Sequence, residues 1–246
     1  MKRGFDIVAS LIGLILLSPI LCLFIFLVWR QDYNSPFYIA KRVGIHGQEF
    51  KMVKLRSMVI NADKTGVDST SSSDDRITNI GHIIRKFKLD ELIQLWNVLI
   101  GDMSLVGPRP NVKRETDLYT NIEKKLLSVK PGITDISSIV FSDEGDILLG
   151  KADPDISYHQ LIRPGKSKLA LFYIDNANLF LDLYLILLTV LAIISKPKAL
   201  KFLVAKMKNL NAKKELLAIA SRDNELMPSP PPGAINVVTS RDGNVT

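Results

Sequence analysis

The chain is poor in residues that bind soft metals: it has one cysteine, Cys22, and three histidines. One cysteine excludes an internal disulfide and a cysteine-built metal site, and no histidine cluster offers itself to zinc. Zinc-finger spacing and the aromatic RNP motif of RNA readers are also missing, so nucleic acid is not expected as a partner. Small residues are lacking before Cys22, where Leu21 stands, which argues against a cleaved signal peptide or a lipobox at that point. Cys22 then reads as a small apolar residue. There is no internal repeat. Negative charge is in deficit, with 25 Asp and Glu against 32 Lys and Arg and a formal charge of +7, which favours anionic partners such as membrane lipid or a nucleotide.

Apolar residues are abundant: they make up 47% of a chain that also carries 23% charged residues, so they must be concentrated somewhere. From Ile7 to Trp29 no residue is charged, and about 20 such residues suffice to cross a bilayer as a helix. Ser18-Pro19 lies at the midpoint. Proline there removes a backbone donor and clashes with the preceding turn, so a kink or break is expected. Lys2 and Arg3 precede the segment while Arg30, Lys41 and Arg42 follow it, and the positive-inside rule draws both ends toward the cytoplasm. The segment therefore reads as a reentrant helix-break-helix over residues 1–30 that dips into one leaflet. Two halves of about 11 residues each reach only about 16 Å. Carbonyls freed at the bend would be satisfied by Ser18 or by neighbouring polar groups.

Pro36 to Met58 reads as a strand, a turn at Gly44 and Gly47, and a second strand; residues 59–76, with a Ser-Thr-Asp tract from Asp68 to Asp75, read as a polar surface loop. Helical signals resume at Ile80, and Leu89, Leu92, Ile93, Trp96, Leu99 and Ile100 recur at helical spacing until Gly101 stops the run. Lys113 to Val129 reads as a charged amphipathic helix, followed by a turn at residues 130–134. A second apolar stretch, Leu169 to Ile194, is interrupted by Asp175, Asn176, Asn178 and Asp182; it is too short to span and is expected at the membrane interface or against the core. The basic residues Lys196, Lys198, Lys201, Lys206 and Lys208 follow. From Arg222 a Pro-rich tail with little fixed structure is expected.

The chemistry concentrates at Asp90 and Glu91. Adjacent carboxylates repel each other, so a pair kept between Arg85, Lys86 and Lys88 and an apolar run points to a metal or phosphate site. The competing reading is a helix whose first-turn acids complement the macrodipole. On one helix Asp90, Gln94 and Asn97 line up while Glu91 is rotated by about 100°, so both acids can meet one metal only at a helix end or edge. In the loop from Asp102 to Pro110, Pro108 and Pro110 hold Arg109 in extended backbone, ready to clamp a phosphate; pairing with Asp102 or capping a helix is the alternative.

Residues 88–110, KLDELIQLWNVLIGDMSLVGPRP, resemble the signature of the monotopic phosphoglycosyl transferases, bacterial enzymes that load a sugar phosphate onto a polyprenol phosphate carrier. Lys54-Leu55-Arg56-Ser57-Met58 and Lys130-Pro131-Gly132-Ile133-Thr134 are similar to two further family elements. The continuation Asp135-Ile136-Ser137-Ser138-Ile139 departs from the family's Gly-Leu-x-Gln-Val, and Ile93 and Lys88 stand where proline and serine or threonine are usual. The resemblance implies an α+β, mainly helical fold: the reentrant membrane helix, a small cytoplasmic catalytic domain over 31–195, a basic amphipathic helix over 196–221 at the interface and a flexible tail over 222–246. It implies transfer of sugar 1-phosphate from a UDP-sugar to undecaprenyl phosphate with release of UMP at the bacterial inner membrane, cytoplasmic face. Asp90 would be the nucleophile that carries a covalent phospho-sugar. Glu91 would join it in holding Mg2+ or position the acceptor, and Arg85, Arg109, Lys54 and Arg56 would bind phosphate. The bend at Ser18-Pro19 would set the depth of the site. A homo-oligomer is left open. The competing functions are a non-catalytic, anion-binding protein of the same fold at the membrane surface, and a glycosyl transferase that releases UDP.

Overall fold

The structure is a computed structural model and describes residues 2–62 and 73–240. A 31-residue helix, α1 (Lys2–Asp32), leads into a hairpin of β1 (Phe37–Val43) and β2 (Glu49–Leu55). Then come α2 (Asn79–Lys86), α3 (Leu89–Leu92), α4 (Leu95–Ile100), β3 (Ser104–Val106), α5 (Lys113–Asp117) and β4 (Gly132–Thr134). The rest is helical: α6 (Ile136–Val140), α7 (Glu144–Ile147), α8 (Pro154–Ser157), α9 (Arg163–Asn176), α10 (Leu179–Ile194), α11 (Lys196–Asn209) and α12 (Lys214–Ser221). The fold is mainly helical with two small sheets, as expected.

The expected break at Ser18-Pro19 is corrected to one continuous helix with Pro19 inside it. The reason is local. Pro19 cannot donate to the Ile15 carbonyl one turn earlier, and the Ser18 hydroxyl donates to that same oxygen at 2.7 Å. Both ends of α1 are tied to the rest of the chain. Lys2 pairs with Asp182 and donates to the Val106 carbonyl, Arg3 donates to the Leu99 carbonyl at 2.8 Å, and Asp6 accepts from Ser104 and from the Leu105 amide. At the other end Arg56 donates to Asp32 at 2.7 Å. Between these anchors Val8, Leu11, Ile12, Ile15, Leu16, Ile20, Leu23 and Phe26 are exposed at helical spacing, while Leu21 and Val28 pack with Leu55 and Ile84.

The hairpin turns where Gly44 and Gly47 place it, with His46 and Gly47 in the left-handed region at φ 56° and 78°. The helix expected from Ile80 to Gly101 is three helices. Lys88 adopts φ 53° and ends α2, which starts α3 afresh with Asp90 and Glu91 in its first turn. Gly101 ends α4 at φ 102°, as expected. The helix expected over 113–129 also divides. Thr120 and Glu123 form a reciprocal capping box, with the Glu123 amide donating to Thr120 and the Thr120 amide to Glu123, each at 3.1 Å. The basic helix over 196–221 is α11 and α12, parted by Asn211 at φ 58°. The polar loop is described only at its edges, where Met58 and Ile77 bridge; residues 63–72, with most of the Ser-Thr-Asp tract, lie outside the described residues.

The main core joins α6, α9, α10, α11 and α12 through Ile136, Ile139, Leu169, Leu185, Leu203 and Met207. α10 buries Leu181, Leu185 and Leu188 and exposes Phe180, Leu183, Leu187, Val190 and Ile194, so it packs on the core and also presents an apolar stripe. Residues 222–240 contain no helix or strand, as expected, yet they lie against the domain: Gln160 donates to the Val238 carbonyl at 2.8 Å and accepts from the Ser229 amide at 3.1 Å.

Candidate active site

Four chain segments meet at the Asp90–Glu91 pair. The apolar side of α3, Leu89 and Leu92, joins the cluster that packs on α1, which turns the two acids the other way. β2 brings Lys54, and Asn97 sets its distance: the buried amide of Asn97 accepts from the Val53 amide at 3.0 Å and donates to the Lys51 carbonyl at 2.7 Å, clamping β2 to α4 beside Lys54. Arg109 comes from the loop after β3. That loop is welded to the Lys130–Thr134 turn by the parallel pairing of β3 with β4, with the Gly132 amide donating to the Pro108 carbonyl and the Gly107 amide to the Thr134 carbonyl, each at 2.9 Å. The backbones approach so closely that a methyl group on Gly132 would lie 2.1 Å from the Gly107 nitrogen. Two sequence-distant motifs thus form one rigid platform for Arg109.

Arg109 donates to Glu91 at 2.6 Å, and Lys54 stands 3.7 Å from Asp90 and 4.0 Å from Glu91. The Asp90, Glu91 and Lys54 side chains are 16%, 14% and 17% exposed, sheltered from bulk water yet reachable by a phosphate. The surroundings drive the two acids apart. Burial raises Asp90, and Glu91's charge adds to that, while Lys54, Arg109 and Arg85 oppose it; the outcome lies above the ordinary carboxylate value. Burial also acts on Glu91, but Arg109 and Lys54 outweigh it and hold the group at about 2. Lys54 is lowered by burial and by Arg109. One acid is thus held as an anion, and the other is a carboxyl whose charged form burial and its neighbour disfavour, with oxygen lone pairs that can meet an electrophile or a cation.

Among the described residues no group of three or more His, Cys, Asp or Glu gathers, so an all-protein metal cage is not built here. Magnesium does not need one: it binds through one or two carboxylates and completes its shell with phosphate and water. The oxygen-only donor set of Asp90 and Glu91, with Asp90 incompletely neutralised, fits that mode.

Residues 1–196 match the family model of the bacterial sugar transferases. The chain belongs to that family. The exopolysaccharide production protein ExoY of Sinorhizobium fredii is 33% identical over 207 residues, which cover 78% of this sugar transferase and 84% of ExoY. The UDP-galactose-lipid carrier transferase of Erwinia amylovora is 43% identical over 149 residues, 54% of this chain and 31% of that protein. The UDP-N-acetylgalactosamine-undecaprenyl-phosphate N-acetylgalactosaminephosphotransferase of Aeromonas hydrophila is 31% identical over 205 residues, 79% of this chain and 44% of that protein. The match therefore spans less than half the length of the Erwinia and Aeromonas transferases.

Of the residues singled out in the sequence, the fold brings Asp90, Glu91, Lys54 and Arg109 together, and the charge of Arg85, in the last turn of α2, reaches Asp90. Arg109 takes Glu91; Asp102 instead accepts from Asn97 at 3.2 Å. Arg56 is not at the site. It is buried, with its guanidinium occupied by Asp32 and by the Ser35 carbonyl at 2.8 Å, and it anchors the end of α1. Ser18 and Pro19 lie at the exposed middle of α1. Sequence reasoning missed Glu144, Lys166 and Tyr158. Glu144 pairs with Lys166, acts on Arg109 and is held below the usual range because Lys166 and Arg109 outweigh its burial. These residues lie more than 30 positions beyond Arg109, are of common surface types and carry no motif that could have found them.

Proposed function

We propose that the sugar transferase moves a sugar 1-phosphate from a UDP-sugar to undecaprenyl (polyprenol) phosphate, releasing UMP and starting lipid-linked glycan assembly. The observation that carries this reading is the sheltered Asp90–Glu91 pair with Lys54 and Arg109 upon it, an arrangement suited to a phosphorus centre flanked by negative oxygens. The Asp90 carboxylate attacks the β-phosphorus, the bond from that phosphorus to the bridging oxygen breaks, and UMP departs with that oxygen. A phosphate oxygen of the polyprenol then attacks the aspartyl phospho-sugar, and the phosphorus–Asp90 bond breaks to restore the carboxylate. Lys54, Arg109 and Arg85 neutralise the charge that repels each nucleophile. Glu91, fixed as an anion, holds Arg109 in place. Asp90 and Glu91 would hold Mg2+, which supplies further charge neutralisation at the phosphate oxygens.

The same reading sets the protein in the cytoplasmic leaflet of the bacterial inner membrane. α1 is the one helix among the described residues long and apolar enough to cross a membrane. Its two ends, Lys2 to Asp6 and Asp32, bond to a single domain, which supports both ends lying on one side, with the exposed apolar middle of the unbroken helix seated in the adjoining leaflet. The exposed stripe of α10 and Lys198, Lys201 and Lys208 on α11 extend this surface toward anionic headgroups.

The test is to incubate detergent-solubilised protein with Mg2+, undecaprenyl phosphate and a panel of UDP-sugars, and to measure UMP and UDP separately. UMP release with at least one sugar, absent from Asp90→Asn, is the expected result. UDP release would reassign the protein as a glycosyl transferase, and no nucleotide product from any donor would favour a non-catalytic role.

A further inference from the structure

Arg109 belongs to two settings at once. It holds Glu91, and it also walls a small polar recess whose other sides include Ser137, Tyr158 and Lys166. Lys166 pairs with Glu144, and its ammonium lies 5.4 Å from the centre of the Tyr158 ring. Tyr158 opens a one-turn π-helical widening, Tyr158–Ile162, between α8 and α9, a geometry frequent at functional sites. Among the described residues its hydroxyl makes no hydrogen bond. Ser137 is braced by Asp135, to which its hydroxyl donates at 2.8 Å, and it belongs to the 135–139 stretch where the chain departs from the usual family sequence.

We propose that this recess receives the glycosyl unit of the nucleotide-sugar donor, with its hydroxyl groups read by Lys166, Glu144, Tyr158 and Ser137. The inference rests on the phosphoglycosyl transfer proposed above. The phosphorus attacked by Asp90 bears the sugar directly, so when its oxygens lie on Arg109 the sugar ring is the next group along. Sugar hydroxyls both donate and accept, and the recess offers the Lys166 ammonium as donor, the Ser137 oxygen as acceptor and the Tyr158 hydroxyl as either, with the Glu144 carboxylate paired to Lys166 beside them. The groups come from α6, α7, the π turn and α9, none of which supplies the reacting carboxylate. Donor choice can therefore vary here without touching the chemistry at Asp90.

The experiment compares wild-type protein with Lys166→Met, Glu144→Gln and the conservative Lys166→Arg, using UDP-glucose, UDP-galactose and their two N-acetylhexosamine counterparts. UMP release gives kcat and KM for each donor, and competitive inhibition by UDP reports nucleotide binding alone. Thermal melting checks folding; a partly exposed ion pair adds little stability, so the variants are expected to stay folded. Lys166→Met and Glu144→Gln should raise the KM of the preferred donor at least about tenfold and change the ranking among sugars, with UDP inhibition unchanged and partial recovery in Lys166→Arg. Unchanged KM and ranking in folded variants, beside an active wild type, would overturn the sugar recess and leave the phosphoglycosyl transfer standing. Weakened UDP inhibition in parallel with KM would also overturn it and assign the recess to the nucleotide. No UMP from wild type with any donor would remove both readings.

Discussion

Two Arg–Glu pairs with nearly the same separation have opposite fates in this molecule. Arg163 meets Glu123 at 2.7 Å, and Arg109 meets Glu91 at 2.6 Å. Around the first, both partners are satisfied within the protein: Glu123 also accepts from Ser167 at 2.7 Å and from the Thr120 amide, and Arg163 also donates to the Leu118 carbonyl. Both partners are buried, and the pair fastens α9 to the segment before β4. Around the second, Asp90 stands close by with a raised pKa, Lys54 lies beyond hydrogen-bonding reach of it, and Arg109 is 34% exposed. A buried Arg–Glu pair satisfied from within rigidifies the fold, whereas a similar pair with one unsettled neighbour marks a candidate site.

That contrast can be broken most severely at the unsettled neighbour. Asp90→Asn should reduce UMP release at least about 10³-fold. Because burial favours the neutral form, Asp90 stabilises the fold when protonated, and this contribution is lost as pH rises through its folded pKa. The inactive variant should therefore melt no lower than wild type at neutral pH, and a clear drop in melting temperature would assign Asp90 to structure instead. Next in size is Arg163→Met, which strands Glu123 in the interior and should cost about 3–5 kcal/mol, read as a lower midpoint of denaturation in detergent. Arg109→Met should do the reverse, costing about 10²-fold in turnover with little change in melting. If both variants lost stability equally, the two pairs would have one role and the comparison would collapse.

The pH dependence sharpens the contrast further. In the proposed reaction Asp90 attacks as the anion, so UMP release should fall with acid along a limb centred above the ordinary carboxylate value. Lys54→Met removes a charge that favours the anion and should move that limb to higher pH; a shift to lower pH would contradict the placement of Lys54. Glu91, held at about 2 against an ordinary 4.5, contributes stability that is complete above 4.5 and fades as pH falls toward 2. The smallest effect is at α1, where Ser18→Ala leaves the Ile15 carbonyl without its hydroxyl partner and should cost about 0.5–1.5 kcal/mol by thermal melting in detergent.

Some of this site could be read before any fold was known. Asp90 and Glu91 stood out because adjacent acids beside a basic cluster are a local conflict, and Arg109 because two prolines stiffen its backbone. The partner of Arg109 was not readable: Asp102 and Glu91 were both nearby carboxylates, and only the orientation of α3 chose between them. Arg56 was misplaced for the same reason, since its partner Asp32 lies 24 positions earlier across the hairpin. The Thr120-x-x-Glu123 capping box was present in the sequence, but the amphipathic pattern across 113–129 masked it. Lys88 broke the helix expected from Ile80 to Gly101 with a left-handed backbone that its residue type does not announce.

Local order alone set the long apolar segment, the hairpin, the helix stop at Gly101 and the adjacent Asp90–Glu91 acids, because each depends on apolar runs, glycine and proline conformations or adjacent charges within a few residues. The tertiary structure was needed to show that Lys54 and Arg109 converge on the acid pair while Arg56 does not, and that Lys166, Glu144 and Tyr158 gather beside Arg109. Those outcomes depend on which distant groups satisfy one another once water is excluded, and that balance exists only when the chain is folded.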